Sequence, residues 1–180
     1  MDDASASEWV KLQLDVTTFN ESTFAPYVVR CTRDGIKFCT MSDLGDTAEH
    51  RVSLFEFNRE CSADIPGRGA FYTFDEYLSE RIEVSTYNPR GVVIALQGDL
   101  WVGMAAISDC RAKGYVFSEM TGVKRNCRGR GIAISMKTLG VEFVRECGVD
   151  IIRTVHNSRN TGIITMNKKL GYVEGNWNYP

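Results

Sequence analysis

The sequence predicts an α/β (α+β) domain with one mixed central sheet of about six to seven strands, flanked by four helices. In the first two thirds of the chain, short segments rich in β-branched and aromatic residues alternate with turns, as in strands. Helical periodicity follows, since Ile132, Met136, Leu139, Phe143 and Cys147 recur at spacings of four, three, four and four. The order is therefore four antiparallel strands, with a helix from Asp46 or Thr47 and a short helix at Phe74–Glu83 after the first of them, and then helix, strand and helix.

Composition favours a soluble globular protein of one domain. The chain has 180 residues, of which 43% are hydrophobic and 24% charged. A net charge of −2 argues against nucleic acid as the main partner, and no apolar run approaches the ~20 residues of a membrane span. Six cysteines without a Cys-x-x-Cys pair, and two histidines, predict no metal site. The acidic, polar start of the chain resembles no signal peptide, so we expect a cytoplasmic protein.

The domain boundaries follow from the first 40 residues. We expect residues 1–8 to be a disordered tail, and residues 9–35 to form a strand and a connector with a short helical turn near residue 29. That segment would pack on a single domain of residues 36–180. The last predicted strand, near residue 173, is short, so the strand at residues 9–16 is expected to pair near this end and complete the sheet.

The most informative stretch is residues 121–133, which reads as a strand end, a basic glycine turn and a helix start. The unpaired N–H groups of such a helix N-terminus favour a phosphate, and Arg128 and Arg130 add positive charge. A dinucleotide fingerprint is excluded because Ile134 stands where the third glycine would be, and no P-loop motif is present. A plain connecting turn remains the alternative reading.

Two motifs resemble the GCN5-related N-acetyltransferases (GNAT). Residues 128–133, Arg-Gly-Arg-Gly-Ile-Ala, are similar to the family signature Arg/Gln-x-x-Gly-x-Gly/Ala. Residues 160–172 resemble the family's last helix, which usually ends in Leu-Gly-Phe and here ends in Leu-Gly-Tyr. In having asparagine at positions 160 and 167, the chain most resembles the mycothiol-synthase-like members of the family.

The resemblance implies the GNAT fold, in which the fourth and fifth strands splay apart, and acetyl-coenzyme A (acetyl-CoA) as co-substrate. The exposed backbone of the fourth strand would pair with the pantetheine arm, and the glycine turn would hold the pyrophosphate. The residues expected to bind the coenzyme are Thr121, Val123, Arg128, Gly129, Arg130, Gly131, Ile132, Ala133 and Asn160. For Asn160, a simple helix N-cap is an equally good reading.

For the chemistry, the resemblance places Glu119 just before the splay, where a carboxylate can act as general base. A solvent-facing glutamate is the alternative, and Asp109 and Glu174 are the other candidate bases. The N–H near Met120 or Thr121 would face the carbonyl oxygen on which negative charge develops. Asn167 stands where many members carry a tyrosine acid, so water held by Asn167, or an unprotonated thiolate, would replace that acid.

The acceptor side is expected to involve Phe55 and Phe71, with Glu119, and His156 at the end of the fifth strand. The aromatic rings fall in the region that walls this side in the family, although a core position is the alternative for each. His156 is chemically able to act as base or acid, or has a structural role.

The function predicted from the sequence is therefore acetyl-CoA-dependent transfer of an acetyl group to the primary amine of a small molecule, through a ternary complex. A metabolite, a polyamine and an aminated antibiotic are candidate acceptors. The alternatives are a protein or peptide N-acetyltransferase and a catalytically silent acyl-CoA-binding module. We expect no nucleic acid, membrane or metal partner, and a homodimer is possible.

Overall fold

The computed structural model describes residues 9–178, which fold around one seven-stranded mixed sheet. The strands are β1 (Trp9–Asp15), β2 (Ile36–Thr40), β3 (Val92–Gln97), β4 (Leu100–Ser108), β5 (Val116–Val123), β6 (Ile151–Asn157) and β7 (Val173–Glu174). The helices are α1 (Glu21–Arg33), α2 (Ala48–Ser62), α3 (Phe74–Tyr77, continued by a π-helical turn over Leu78–Ile82), α4 (Ile132–Glu146) and α5 (Thr161–Lys169). This confirms the predicted fold class. The tail expected at residues 1–8 lies outside the described residues.

Helix α1 is the main difference from the prediction, and it makes five helices where four were expected. It has 13 residues where the sequence suggested only a helical turn. Pro26 lies inside it and removes a helical hydrogen bond, which hides the helix from a reading by pattern. Asn20 caps its start, and Phe24 and Cys31 are buried against the core. Packing therefore stabilises a helix that its sequence alone only weakly favours.

The N-terminal strand does pair near the end of the chain, as the short final strand suggested. β1 is antiparallel to β6 along its whole length, from Trp9 opposite Asn157 to Asp15 opposite Ile151. Its other edge pairs with β7, which has only two residues. The strand order is thus β2-β3-β4-β5-β6-β1-β7, with β1 inside the sheet.

Each face of the sheet has its own core. Helices α1 and α4 cover one face, where Leu12 of β1 and Val116 of β5 are fully buried. Helices α2 and α3 cover β3 and β4 on the opposite face, around Leu54 and Met104. Because side chains alternate along a strand, Lys11 of β1 and residue 119 of β5 lie on the α2 side of the sheet.

The predicted splay lies between β5 and β6, which are the fourth and fifth strands of the predicted domain at residues 36–180. These parallel strands pair only at their beginnings, Val116 with Ile152 and Phe117 with Arg153. The Thr154 hydroxyl then donates to the Ser118 carbonyl (2.9 Å), so a side chain makes the next link where the backbones begin to diverge.

A β-bulge lies at the same level of β5. Ala105 pairs with Thr121, and Ile107 with Ser118, so Glu119 and Met120 together oppose one residue of β4. A bulge bends its strand and changes the direction of the side chains beside it. The bend in β5 therefore lies at the same level as the gap between β5 and β6.

Candidate active site

A cavity of about 1230 Å³ occupies the gap between β5 and β6. One end, the helix end, is formed by the turn at residues 127–131, the start of α4, and side chains of α1 and α5. The other, the carboxylate end, lies on the α2 side of the sheet around Glu119, with Arg81 and Tyr72. One continuous space therefore connects a helix N-terminus with an acidic side chain through the sheet.

The helix end contains the uncapped N-terminus of α4. Its N-cap, Gly131, has a left-handed backbone (φ 86°) and no side chain to satisfy the first N–H groups. The first helical bond runs from the Ser135 N–H to the Gly131 carbonyl (3.0 Å), so the N–H groups of residues 132–134 have no partner within the helix. Ile132, Ala133 and Ile134 all line the cavity. This end can therefore hold an anion, and we call it the anion site.

Close packing makes glycine necessary at position 131. A Cβ there would lie 2.6 Å from the Tyr27 ring and 2.8 Å from the Arg30 guanidinium. Lys169 of α5 reaches the same place and donates to the Tyr27 hydroxyl (2.6 Å). Arg30 and Lys169 therefore bring two cations to the anion site.

Most of the predicted coenzyme residues line the cavity, and the exception is Arg130. The residues in the lining are Thr121, Val123, Arg128, Gly129, Gly131, Ile132, Ala133 and Asn160. Arg130 lies outside the cavity, and its carbonyl accepts a hydrogen bond from Arg30 (3.4 Å). Asn160 is the N-cap of α5, but its side chain makes no capping bond.

Asp64, in the loop after α2, is a site residue that the sequence analysis missed. Its carboxylate forms ion pairs with Arg125 and Arg128, next to the anion site. The hydrogen bond from Arg125, and then that from Arg128, hold the pKa of Asp64 well below its ordinary value. A loop that walls the carboxylate end is thus tied to the glycine turn, although nothing in the local sequence signals the contact.

We expect Asp64→Asn to bind coenzyme A more tightly, by roughly threefold at low salt, because an amide neither neutralises nor holds the two guanidiniums. Calorimetric titration with coenzyme A measures this, and the gain should shrink at high salt. Asp99→Asn, in the β3–β4 turn, is the control and should change nothing. Weaker binding in Asp64→Asn would show instead that Asp64 holds the turn in its binding conformation.

Glu119 at the carboxylate end already has two partners. The Ser108 hydroxyl donates to it (2.7 Å), and the Arg81 guanidinium lies 2.8 Å from its other oxygen. Burial disfavours the charge on Arg81, but the Glu119 carboxylate outweighs this and raises the pKa of Arg81. The side chain predicted as a base is therefore half of an ion pair, and Arg81 had no signal in the sequence.

The two aromatic rings expected on the acceptor side are placed elsewhere. Phe55 is buried, with its ring centroid 5.7 Å from Phe71 and 5.4 Å from Tyr77. Phe55 and Phe71 lie in the core between α2 and α3, outside the cavity lining, because this face of the sheet needs a hydrophobic cover. Tyr72 is the aromatic residue of this region that lines the cavity.

His156 lines the cavity, and two residues outside the cavity lining contact its ring. Its Nε2 lies 2.8 Å from the Asn167 amide nitrogen and 3.2 Å from the Thr154 hydroxyl. Burial, and then the charge of Lys137, lower the pKa of His156 to about 4, so the imidazole is neutral near pH 7. Asn167 itself is fully buried and lies outside the cavity, so it contacts His156 and not a ligand. The sequence analysis had placed Asn167 in the chemistry.

The other candidate bases lie away from the cavity. Asp109 is bound by Arg111, whose Nε lies 2.8 Å from one carboxylate oxygen. Glu174 is exposed and pairs with Lys168 (2.9 Å). Within residues 9–178, Glu119 and Asp64 are the carboxylates that line the cavity.

Two searches of residues 9–178 gave negative findings. They contain no group of three or more His, Cys, Asp or Glu side chains arranged to hold a metal ion. None of their helices has both the length and the apolar character of a membrane crossing.

A sheet opened between two parallel strands, with an uncapped helix N-terminus at one end of the gap and a carboxylate at the other, is an arrangement that suits transfer of a group from a phosphate-bearing donor. The family model described as Acetyltransferase (GNAT) family matches residues 52–172, and the chain belongs to this family. Members of this family are N-acetyltransferases that use acetyl-CoA.

Solved structures show the same fold at low sequence identity. A GCN5-related N-acetyltransferase from Sphaerobacter thermophilus has a TM-score of 0.65 and 20% identity over 93% of this chain and 48% of its own. A fungal glucosamine N-acetyltransferase region, within a multi-domain β-N-acetylglucosaminidase, has a TM-score of 0.63 and 14% identity over 94% of this chain and 20% of its own. The NatC complex, bound to Gag peptide and CoA, has a TM-score of 0.59 and 15% identity over 78% of this chain and 86% of the matched one.

The chain therefore spans from a fifth to about half of the first two of these structures. A search of curated proteins found no match.

Proposed function

We propose that this chain is an acetyl-CoA-dependent N-acetyltransferase that acetylates the primary amine of a small molecule by direct attack in a ternary complex. The observation that carries the proposal is the single cavity that joins the anion site of α4 to Glu119 through the gap in the sheet. Direct transfer requires the donor and the acceptor to meet in one space.

The residues at the helix end fit acetyl-CoA. Gly131 leaves a cradle that any Cβ would fill, and the free N–H groups of α4 suit a pyrophosphate. Arg128, Arg30 and Lys169 supply charge for the phosphates. The edge of β5 that has left β6, at residues 120–123, is free for the pantetheine arm, with Asn160 across the gap. When bound, acetyl-CoA supplies the acetyl group as a thioester.

At the carboxylate end, proton transfer is assigned to Glu119. A Glu119 carboxylate oxygen takes the proton that the acceptor amine loses, directly or through water. Arg81 and Ser108 fix the carboxylate in place. His156 is neutral near pH 7, and Nδ1, the ring nitrogen that does not contact Asn167, is the one that can form a hydrogen bond with the amine. The N–H of Met120, beside the bulge, is the proposed donor to the thioester oxygen.

A roof over the cavity favours a small acceptor over a peptide. A Cβ at Gly67, in the loop after α2, would lie 2.7 Å from the Arg159 guanidinium and 3.6 Å from the Asn157 amide. The loop therefore closes against residues at the end of β6, across the gap. A site covered by this loop suits a small molecule, whereas an open groove would suit a peptide.

Thiol release from acetyl-CoA, measured across amines, amino sugars, polyamines and peptides, tests the proposal. We expect release with at least one small primary amine. Release with peptides alone would replace the proposal by a peptide N-acetyltransferase. Coenzyme A binding without release for any amine would indicate a silent binding module.

Glu119→Gln is expected to lower turnover about 100-fold at neutral pH, since an amide accepts no proton, and to leave coenzyme A affinity nearly unchanged. Initial rates and calorimetry measure the two effects. Ser108→Ala is the matched control, because it removes one hydrogen bond but keeps the carboxylate. Full activity in Glu119→Gln would remove Glu119 from the mechanism.

A further inference from the structure

The cavity lining carries more positive than negative charge. Its carboxylates are Asp64 and Glu119. Its cations are Lys11, Arg30, Arg68, Arg81, Arg128 and Lys169. Four cations have an evident role, because Arg30, Arg128 and Lys169 surround the anion site and Arg81 neutralises Glu119. Lys11 and Arg68 remain, and no carboxylate within residues 9–178 forms an ion pair with either.

Among residues 9–178, the groups that hold Lys11 in place are neutral. It lies on β1, opposite Val155 of β6, and its side chain is half-buried. Its Nζ donates to the Trp177 carbonyl (2.8 Å) and lies 5.9 Å from the centre of the Trp177 ring. An ammonium group has three N–H donors, and the Trp177 carbonyl accepts one of them. Lys11 therefore keeps its charge and its remaining donors for a ligand. It is a positioned cation, not a freely moving surface lysine.

Neighbouring groups strengthen the positive field. Arg68 lies over the Phe71 ring, 5.1 Å from its centre, on the loop that roofs the cavity. Arg153, two residues along β6 from Val155, lies between the rings of Tyr115 and Trp177, at 4.4 Å and 5.1 Å. Its Nε is buried without a hydrogen-bond partner. No carboxylate within the described residues pairs with Arg153 either, so nothing there cancels its charge.

We propose that the acceptor is an amine that also carries an anionic group, a carboxylate or a phosphate, which Lys11 binds with help from Arg68. This inference rests on the proposed function. Polyamines and aminoglycosides would bring several positive charges to a cavity whose carboxylates within residues 9–178, Glu119 and Asp64, are already paired with arginines. An anionic amine instead places its anion at Lys11 and its amine at Glu119, on the same side of the sheet.

The fold also indicates the spacing of the two groups. β6 lies between β1 and β5, so the backbones at Lys11 and Glu119 are two strand spacings apart, roughly 10 Å or more where the strands splay. Trp9 and Phe117 also line the cavity. The acceptor therefore has several bonds, in an apolar chain or a sugar ring, between its amine and its anion.

Matched amines test the proposal through thiol release. For the carboxylate, we compare 6-aminohexanoate with hexylamine and 1,6-diaminohexane. For the phosphate, we compare glucosamine 6-phosphate with glucosamine. We expect kcat/KM to be about tenfold higher for the anionic member of at least one set. Lys11→Gln should remove this preference and leave rates with neutral amines within about twofold. Lys11→Arg should retain it, and Lys37→Gln, on β2 at the far edge of the sheet, is the control.

A binding measurement separates this inference from the proposed function. 6-Hydroxyhexanoate carries the anion but has no amine, so its calorimetric binding to the coenzyme A-loaded protein needs no catalysis. We expect wild-type binding that Lys11→Gln weakens about tenfold. Equal binding to both proteins, or faster reaction of the diamine, would overturn the inference. Absence of thiol release with every amine would overturn the proposed function alone, and the binding result would still decide on Lys11.

Discussion

Lys137→Met is expected to raise the free energy of unfolding by several kcal/mol below pH 7, and by much less at pH 10. Lys137 of α4 is buried, donates to the Ser118 hydroxyl (2.9 Å) and lies 5.1 Å from the centre of the Tyr172 ring. Burial lowers its pKa from 10.5 to about 7. The titratable groups near it are Tyr172, whose pKa burial raises, and His156, which is neutral near pH 7.

The direction of the pH effect follows from proton binding. Between pH 7 and pH 10.5 the unfolded chain holds the Lys137 proton more tightly than the folded chain, so wild-type stability rises with pH across this window. Below pH 7 both states are protonated, and the fold bears the whole cost of burial, on the order of 5 kcal/mol. Methionine has a similar shape and no charge, so the variant avoids this cost at the smaller cost of an unpaired Ser118 hydroxyl, about 1 kcal/mol.

Urea denaturation of both proteins at pH 6, 8 and 10 measures the effect. The difference in stability between the variant and the wild type should decrease steadily as the pH rises. Lys113→Met, at an exposed lysine, is the control and should show little pH dependence. A constant difference across the three pH values would mean that Lys137 has an ordinary pKa in the folded protein.

Gly131→Ala is expected to weaken coenzyme A binding about 100-fold, because the new methyl group collides with the Tyr27 ring and the backbone there is left-handed. Gly129→Ala is the matched control, because Gly129 has a similar φ (76°) but no atom within 4 Å of a new Cβ. Both variants introduce backbone strain, and only Gly131→Ala also displaces Tyr27 and Arg30.

Calorimetric titration with coenzyme A, together with the melting temperature of each variant, separates lost binding from lost folding. Gly129→Ala should lose no more than about tenfold in affinity. Equal losses in the two variants would show that strain at the turn, and not the packing around Gly131, determines the affinity.

The sequence predicted those parts of the site that depend on local chemistry. The glycine turn and the uncapped start of α4 were predictable because backbone geometry near a helix N-terminus follows from a few neighbouring residues. The pairing of β1 was predictable because β7 is too short to complete the sheet alone. The splay was inferred from the resemblance and agrees with the observed pairing.

The remaining features depend on contacts between distant residues. Neither the Arg81–Glu119 pair nor the contact of Asp64 with Arg128 leaves a local pattern, because ion pairs form wherever the fold brings charges together. Hydrophobicity alone does not separate Phe55 in the core from Tyr72 in the cavity. Helix α1 escaped prediction for a related reason, since tertiary packing outweighs the unfavourable Pro26.

The position of β1 has a consequence for how the protein is made. Trp9, among the first described residues, pairs with Asn157, so the wall that carries Lys11 needs two segments synthesised far apart in time. Until β6 emerges from the ribosome, β1 lacks its main partner and exposes a strand edge. The strands β2 to β5 pair in chain order, each with the next one, so this part of the sheet is complete earlier. We therefore expect β1 to be the segment most dependent on chaperones during synthesis.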